Sequence, residues 1–591
     1  MTNFFDQTAS WLLQGRRLLR ISDAHTMLLW AALIGLLGAL ATIVFREAIG
    51  ILQILLTGHK GSFVEIAKGL PWQMRLLLPA GGGVVAGGFL WWSQRMPAAA
   101  NSDYMEAVAI GDGRVPVRQS LLRSLSSLST VASGGSIGRE GPMVQLAALC
   151  ASLAGRGLRF PVARLRLLVA CGAAAGITSA YNAPIAGAFF VTEIVLGAMA
   201  MESLGPIVVA AVVANITMRA LPGYQPAYEM PYFPEVGLNE IILFVFLGVF
   251  AGLIAPQFLR VLSFAKTGFG KLAWPLPLRL GLGGLLAGGI SIWVPEVWGN
   301  GYSVVNSFLH IDWIWWGVLL LLVCKVVATA MTTGSGAVGG IFTPALFVGA
   351  ALGLLFGQLV HGWWPHATSA PFAYAVVGMG AFLAAATSAP LMAILMIFEM
   401  TLSYQVMLPL MLACVVAYFV ARGSNGPSMY EITLKRSREE EARIRLRGTH
   451  MRELIKPART ILREDAPFAD VAAMFLRYPV KYVYIVDAQQ CYLGVVALQD
   501  VTSLLMEKTA TETRVAGDFL RPRFLHEVTP EMSLGEALQL FLDHQGERLP
   551  VIQEGEQPLL LGVVDKTTLL DAYFRLDRAR TDATLPPPVG L

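Results

Sequence analysis

Over its first 430 residues the chain returns repeatedly to apolar runs close to the roughly 20 residues that a helix needs to cross a bilayer. Thr26–Phe45, Leu76–Trp92, Ile241–Leu259 and Trp313–Met331 are the clearest. Charged residues make up 14% of the chain and hydrophobic ones 55%, whereas a soluble domain carries about 25% charged residues. An ordinary water-facing surface is therefore excluded for this stretch, and a multi-pass membrane protein is expected. No signal-peptide pattern with a cleavable small-residue site precedes the first run, which reads as a retained helix. Arg16, Arg17 and Arg20 precede it, and Lys435, Arg436 and Arg438 follow the last run. The positive-inside tendency then predicts cytoplasmic termini in a cell (inner or plasma) membrane.

After Tyr430 the composition changes. Residues 431–450 form a linker dense in both signs of charge, and from Met451 the pattern becomes that of a soluble α/β unit. Short β-branched strands such as Tyr482–Val486 and Gly494–Val496 alternate with helical stretches such as Phe468–Phe475 and Leu534–Leu542. The stretch APFADVAAMFLRYPVKYVYIVD…YLGVVALQDV is echoed by MSLGEALQLFLDHQGERLPVIQ…LLGVVDKTTLL. Two copies of about 60 residues are expected, since a unit of that size buries a marginal core alone. The predicted organisation is residues 1–25 as an N-terminal segment, 26–430 as the membrane domain, 431–450 as linker, 451–507 and 508–575 as the two copies, and 576–591 as tail.

The membrane part repeats as well. Gly138-Arg139-Glu140-Gly141-Pro142 is followed by Ala183-Pro184 and Glu193; Gly340-Ile341-Phe342-Thr343-Pro344 is followed by Ala389-Pro390 and Glu399. Pro184 to Pro390 and Glu193 to Glu399 share one offset of 206. Duplicated halves are typical of transporters, whose interrupted helices meet at mid-membrane to make a site.

The glycine-rich segments Gly134–Gly138 and Gly334–Gly340 do not suit straight membrane helices, because glycine costs about 1 kcal/mol relative to alanine there and exposed backbone must find partners. Each runs into an apolar helical stretch. Each therefore reads as a loop feeding a helix N-terminus, where free N–H groups and the helix dipole favour an anion. Asn101-Ser102-Asp103 before Tyr104-Met105-Glu106 reads as a third helix start, with Asp103 and Glu106 at capping-box spacing. A conducting site must also release its ion; the amides of Ile341 and Phe342 and the hydroxyls of Ser102 and Tyr430 meet that need better than a buried lysine or arginine. Glu140 is an ionisable group inside a membrane segment, a functional position by default. Charged, its carboxylate would occupy an anion seat; protonated, it would vacate it, as a gate and proton carrier. The plain alternative is a salt bridge to Arg139. Glu193 and Glu399 read as structural acids at helix ends or, for Glu193, as a proton-path candidate.

These residues resemble the CLC family of chloride channels and proton-coupled chloride exchangers over roughly Met27–Tyr430, and the tail resembles a tandem pair of CBS domains. Gly138–Pro142 is similar to the family's GREGP, which implies an external gating role for Glu140. Gly340–Pro344 is similar to GxFxP, and Tyr430 in GPSMYE to the inner-gate tyrosine. The resemblance implies a multi-pass α-helical fold with inverted-repeat halves, cytosolic α/β CBS domains, and a homodimer with one anion pathway per subunit. Gating by Glu140 and anion binding by Ser102, Ile341, Phe342 and Tyr430 follow from it, with chloride or a similar small anion and the lipid bilayer as partners.

Two departures bear on mechanism. The family's GSGIPE is here Asn101-Ser102-Asp103-Tyr104-Met105-Glu106, so both flanking glycines are lost; Asp103 fits beside an anion only as a helix cap, and Asn101 resembles fluoride-selective branches. The second of two consecutive glutamates that commonly serve proton coupling is here Ile194, after Glu193. One helical step turns a side chain by about 100°, so Glu193 does not replace it. This favours a passive channel; proton-coupled exchange, with protons as a second partner, is the alternative. In the tail, Gly494–Asp500 keeps the aspartate of a nucleotide-binding stretch but loses its threonine, while the second copy has Thr568 in place of the aspartate. Asp500 is the candidate contact for an adenine nucleotide; no other cofactor is expected.

Other classes fit less well. The net charge of +4 is small and dispersed, which gives no footprint for nucleic acid. The five cysteines (Cys150, Cys171, Cys324, Cys414, Cys491) lack metal or disulfide spacing. No nucleophile–base constellation suggests an enzyme. A divalent-cation transporter with CBS regulation would need several oxygen ligands near the membrane interior, where this sequence offers helix N-termini instead.

Overall fold

A computed structural model describes residues 23–96, 103–109, 111–197, 201–221, 228, 231, 233, 237, 240–424, 427–430, 449–506, 514–522, 525–542, 544, 546–553, 555 and 558–582. The chain divides into two compact units, Met1–Leu434 and Lys435–Leu591.

In the first unit nine helices among the described residues are long and apolar enough to cross a membrane. Three predicted apolar runs lie within Asp23–Thr57, Trp72–Gln94 and Ile241–Gly270; the fourth begins two residues ahead of its helix, Trp315–Gly334. Their outer faces keep large apolar residues exposed, such as Val44, Phe246, Phe264 and Leu320, which is what a lipid solvent requires. Between them, small residues let backbones touch, the usual source of helix association in lipid. Trp72–Gln94 packs against Leu276–Trp293 so closely that a Cβ on Gly83 would stand 2.4 Å from the Leu280 carbonyl oxygen, and one on Gly284 2.0 Å from that of Pro79.

The duplication is visible residue by residue. The helix Val162–Tyr181 ends at Asn182 in the left-handed region (φ 56°), and Pro371–Thr387 ends at Ser388 (φ 58°). A proline then starts the next helix in both halves, Pro184–Phe189 and Pro390–Thr401, where its missing N–H costs nothing. The first of these runs on into a π-helical segment, Phe190–Leu196, a feature common at functional sites; the second stays α-helical.

The second unit contains the two predicted copies. Strand β1 (Ile461–Arg463) lies parallel to β2 (Tyr482–Val486), which pairs antiparallel with β3 (Tyr492–Ala497). In the second copy β4 (Arg548–Gln553) pairs antiparallel with β5 (Leu559–Asp565), and Val528 makes a parallel bridge to Val551 where β1 stood in the first. The helices Phe468–Arg477, Leu498–Met506, Leu534–Leu542 and Lys566–Asp582 complete the copies; the last continues beyond residue 575, where the tail was expected to begin. The copies are interlocked. Arg521, near the start of the second, exchanges two backbone hydrogen bonds with Val495 of β3, and Lys456, near the start of the first, does so with Val563 of β5. The glycine of each LGVV motif makes room for this. A Cβ on Gly494 (φ 150°) would meet the Arg521 carbonyl oxygen at 2.5 Å, and one on Gly562 that of Lys456 at 2.4 Å.

Candidate functional site

Both glycine-rich segments break a helix as expected. The helix Val117–Ala132 stops before Gly134 (φ 94°) and the next begins at Glu140; Trp315–Gly334 stops before Gly336 (φ 106°) and the next begins at Phe342. The two loops are joined to each other. Gly138 N–H donates to the Gly340 carbonyl at 2.8 Å, and Gly340 N–H to that of Gly138 at 2.9 Å. The bridge sets the starts of Glu140–Gly157 and Phe342–Trp363 side by side, so the electropositive ends of two helices converge.

Glu140 lies between them and is 4% exposed. Its Oε1 accepts the Thr343 N–H at 2.9 Å, in the first turn of the other half's helix. Its carboxyl group thus sits at a helix N-terminus, a place that favours an anion. No salt bridge joins it to Arg139, so the plain alternative does not describe its contacts. The seat has no room for side chains beside it: a Cβ on Gly138 would lie 2.2 Å from Glu140 Oε1, and one on Gly340 2.6 Å from its Cδ. Ile341 and Phe342 stand at the N-cap and first position of their helix, where N–H groups have no intrahelical acceptor.

A cavity of about 330 Å³ runs past these groups and brings together Glu140, Ile341, Phe342 and Tyr430 from the expected set. Phe190 packs edge-on against the Tyr430 ring, with centroids 5.7 Å apart. Ser102 lies outside the described residues. Asp103 lines the cavity and caps the short helix Tyr104–Ala109, its Oδ1 accepting the Glu106 N–H at 3.0 Å, the cap geometry expected of it.

Glu193 and Ile194 do not line this cavity. Ile194 is fully buried. Glu193 instead accepts the Met392 N–H at 2.7 Å and that of Leu391 at 3.3 Å, capping the helix Pro390–Thr401. Glu399 returns the arrangement, accepting from Ala186 at 2.7 Å and Ile185 at 3.0 Å. Asp500, in the second unit, holds the Arg521 guanidinium in a two-pronged pair, at 2.8 Å to Nε and 2.5 Å to Nη2.

Several lining residues were missed. Ser124 and Arg123 face the cavity from the helix Val117–Ala132, and Ser124 Oγ is buried with no hydrogen-bond partner among the described residues. Gln145 also lines it, donating to Ser120 Oγ at 2.8 Å and accepting from Tyr104 N–H at 3.3 Å. The signal was available: Ser120, Ser124 and Ser127 stand at helical spacing within Val117–Ala132, and all three are buried. Tyr181 and Thr343, hydrogen-bonded at 3.0 Å between their hydroxyls, brace the second helix start; no spacing pattern pairs residues that far apart.

The duplicated helical halves meeting at bridged loops, with a carboxylate on paired helix starts, define a membrane protein of the CLC architecture with a C-terminal CBS pair. The chain belongs to the voltage gated chloride channel family, whose model matches residues 82–422; a CBS domain model matches 516–575. It is 57% identical to a ClcB-like chloride channel protein of Ralstonia nicotianae, over 71% of this chain and 99% of that protein. Among solved structures it is similar to a slow cyanobacterial Cl⁻/H⁺ antiporter, at 25% identity, 71% of this chain, 98% of that one and a TM-score of 0.62. A eukaryotic CLC transporter shares the fold over 93% of this chain and 99% of its own, at 18% identity and a TM-score of 0.58.

Proposed function

We propose that the chain carries chloride, or a similar small anion, across a membrane through the cavity between Glu140 and Tyr430. The observation that supports this most is the Glu140 carboxylate on the Thr343 N–H: the seat already accepts an anion, and the occupant is tethered to the chain. Protonation of Glu140 weakens its hold on that N–H and lets a free anion take its place, so the side chain gates the pathway. Ile341 and Phe342 contribute amides, Tyr430 and Ser102 hydroxyls. Amides and hydroxyls bind an anion loosely enough for turnover.

Transport is passive in this reading. Ile194 offers no proton acceptor, and the Glu193 carboxylate is already engaged by two backbone N–H groups. The second reading, proton-coupled exchange, draws on the antiporter among the similar structures. Chloride efflux from proteoliposomes with simultaneous external pH recording separates them. Chloride leaving without opposed proton movement supports the passive reading, uphill proton movement the exchanger; absence of chloride flux from folded protein overturns both.

The functional unit is a homodimer in the cell membrane with both termini cytoplasmic, a reading that rests on the basic flanks of the membrane domain and on the family's habit. The CBS pair acts as a structural module. An adenine nucleotide at Asp500 would have to displace Arg521 from its carboxylate, and competition between the two is the means by which a nucleotide would be felt.

A further inference from the structure

Ser124 stands apart from other hydroxyls of the helix Val117–Ala132 and its C-cap. Ser129, Thr130 and Ser133 turn back onto the carbonyls of Leu125, Ser126 and Thr130, each at 3.1 Å, a common outlet for a hydroxyl within a helix. Ser120 Oγ receives the Gln145 amide at 2.8 Å. Ser124 takes neither course. It is 5% exposed, its Oγ has no hydrogen-bond partner among the described residues, and it lines the cavity that Glu140 and Tyr430 share. Ser126 and Ser127 also lack a partner among the described residues, but they do not line that cavity.

Buried hydroxyls without a partner are rare, because the group has been stripped of water for nothing in return. For Ser124 the space at hand is the cavity itself. An ion that enters there gives up much of its hydration shell, and the walls must replace those hydrogen bonds. The same wall carries Asp103, whose carboxylate is adverse to an anion even as it caps Tyr104–Ala109. A further neutral donor offsets that repulsion. Ser124 supplies it from a helix that contributes neither the amides of Ile341 and Phe342 nor the Tyr430 hydroxyl, so the ion would be held from one more side.

We propose that Ser124 is an anion-binding residue that determines specificity. Its hydroxyl donates to the ion in this cavity and favours small, strongly hydrated halides over large, weakly hydrated anions. A small anion loses the most on dehydration and so gains the most from each donor; a diffuse anion such as thiocyanate gains less from the same hydroxyl. The proposal rests on the reading of the cavity as the anion pathway and deepens it.

The test is the chloride dependence of current through the full-length protein in planar bilayers, together with thiocyanate permeability relative to chloride, from reversal potentials at equal pH on both faces. Ser124→Ala should raise the half-saturating chloride about threefold to tenfold and the relative thiocyanate permeability about threefold, the loss expected for one hydrogen bond to an ion that partly readjusts. Ser124→Thr, which keeps the hydroxyl, should stay near the wild type. Ser124→Cys, close in shape but a weak donor, should move both quantities in the direction of Ser124→Ala. Ser126→Ala removes a buried hydroxyl away from the cavity and should change neither. Half-saturation and selectivity unchanged in Ser124→Ala and Ser124→Cys, as a hydroxyl satisfied by water would give, overturn the proposal and leave the pathway standing. An equal change in Ser126→Ala overturns it too. A wild-type protein that passes no chloride overturns the pathway, and the role of Ser124 with it.

Discussion

Glu193 and Glu399, 206 residues apart, each cap a helix that belongs to the other half of the membrane domain. Glu193 takes the N–H groups of Leu391 and Met392, and Glu399 those of Ile185 and Ala186. The four amides are themselves separated by the same offset, so one interaction is made twice under an approximate two-fold relation.

We propose from this that Glu193 acts as a helix cap. Glu193→Ala should lower the thermal midpoint of the detergent-purified protein, by an amount reflecting a charge-assisted cap of about 1.5–3 kcal/mol, and Glu399→Ala should match it. Glu193→Gln should leave the ratio of proton to chloride movement as in the wild type. A changed ratio would point to Glu193 as a proton-path residue instead.

The seat of Glu140 makes a sharper forecast, because it can be disturbed without touching the carboxylate. Glu140→Gln should alter chloride flux and abolish its dependence on external pH in proteoliposomes. Gly340→Ala should do the same, since the added Cβ would stand 2.6 Å from Glu140 Cδ and force the side chain out. Normal pH dependence in Gly340→Ala would mean that the carboxylate is not held where the gate requires it.

Ile194 is fully buried in the π-helical segment. Burying a charge in so closely packed a position costs several kcal/mol unless it is fully paired. Ile194→Glu should therefore express at a reduced level and melt earlier, measured by fluorescence-detected gel filtration. A stable Ile194→Glu protein that gains proton movement would show that the position is wetter than its packing suggests.

In the second unit, Gly494→Ala and Gly562→Ala should each destabilise the CBS pair by about 2 kcal/mol or more, because the collision is with backbone carbonyls that cannot move aside. Asp500→Asn should cost far less, about 1 kcal/mol, since the Arg521 pair is partly exposed. Differential scanning calorimetry of the full-length protein checks both; equal losses from Asp500→Asn and Gly494→Ala would contradict this ranking.

The amino-acid pattern carried much of this. Gly134–Gly138 and Gly334–Gly340 announced interrupted helices because glycine runs defy a bilayer-spanning helix, and the motifs after them located Glu140 and the amides of Ile341 and Phe342. What stayed hidden was which groups face each other. The bonds between Gly138 and Gly340, and between Glu140 and Thr343, cross about 200 residues and depend on how the two halves dock, which no local periodicity encodes. Glu193 illustrates the limit: its spacing from Pro184 revealed a repeat, but its hydrogen bonds go to the opposite copy. Likewise Asp500 fitted a nucleotide motif, while the arginine it grips, Arg521, comes from the start of the second CBS copy.

The crossed caps and the Gly138–Gly340 bridge also constrain what either half can be alone. Either half by itself would present a carboxylate with no helix to cap, a helix start with no carboxylate, and a loop edge without its mate. One half could satisfy all of these only by meeting a second copy, so neither half is a complete structural unit and each serves as the other's scaffold.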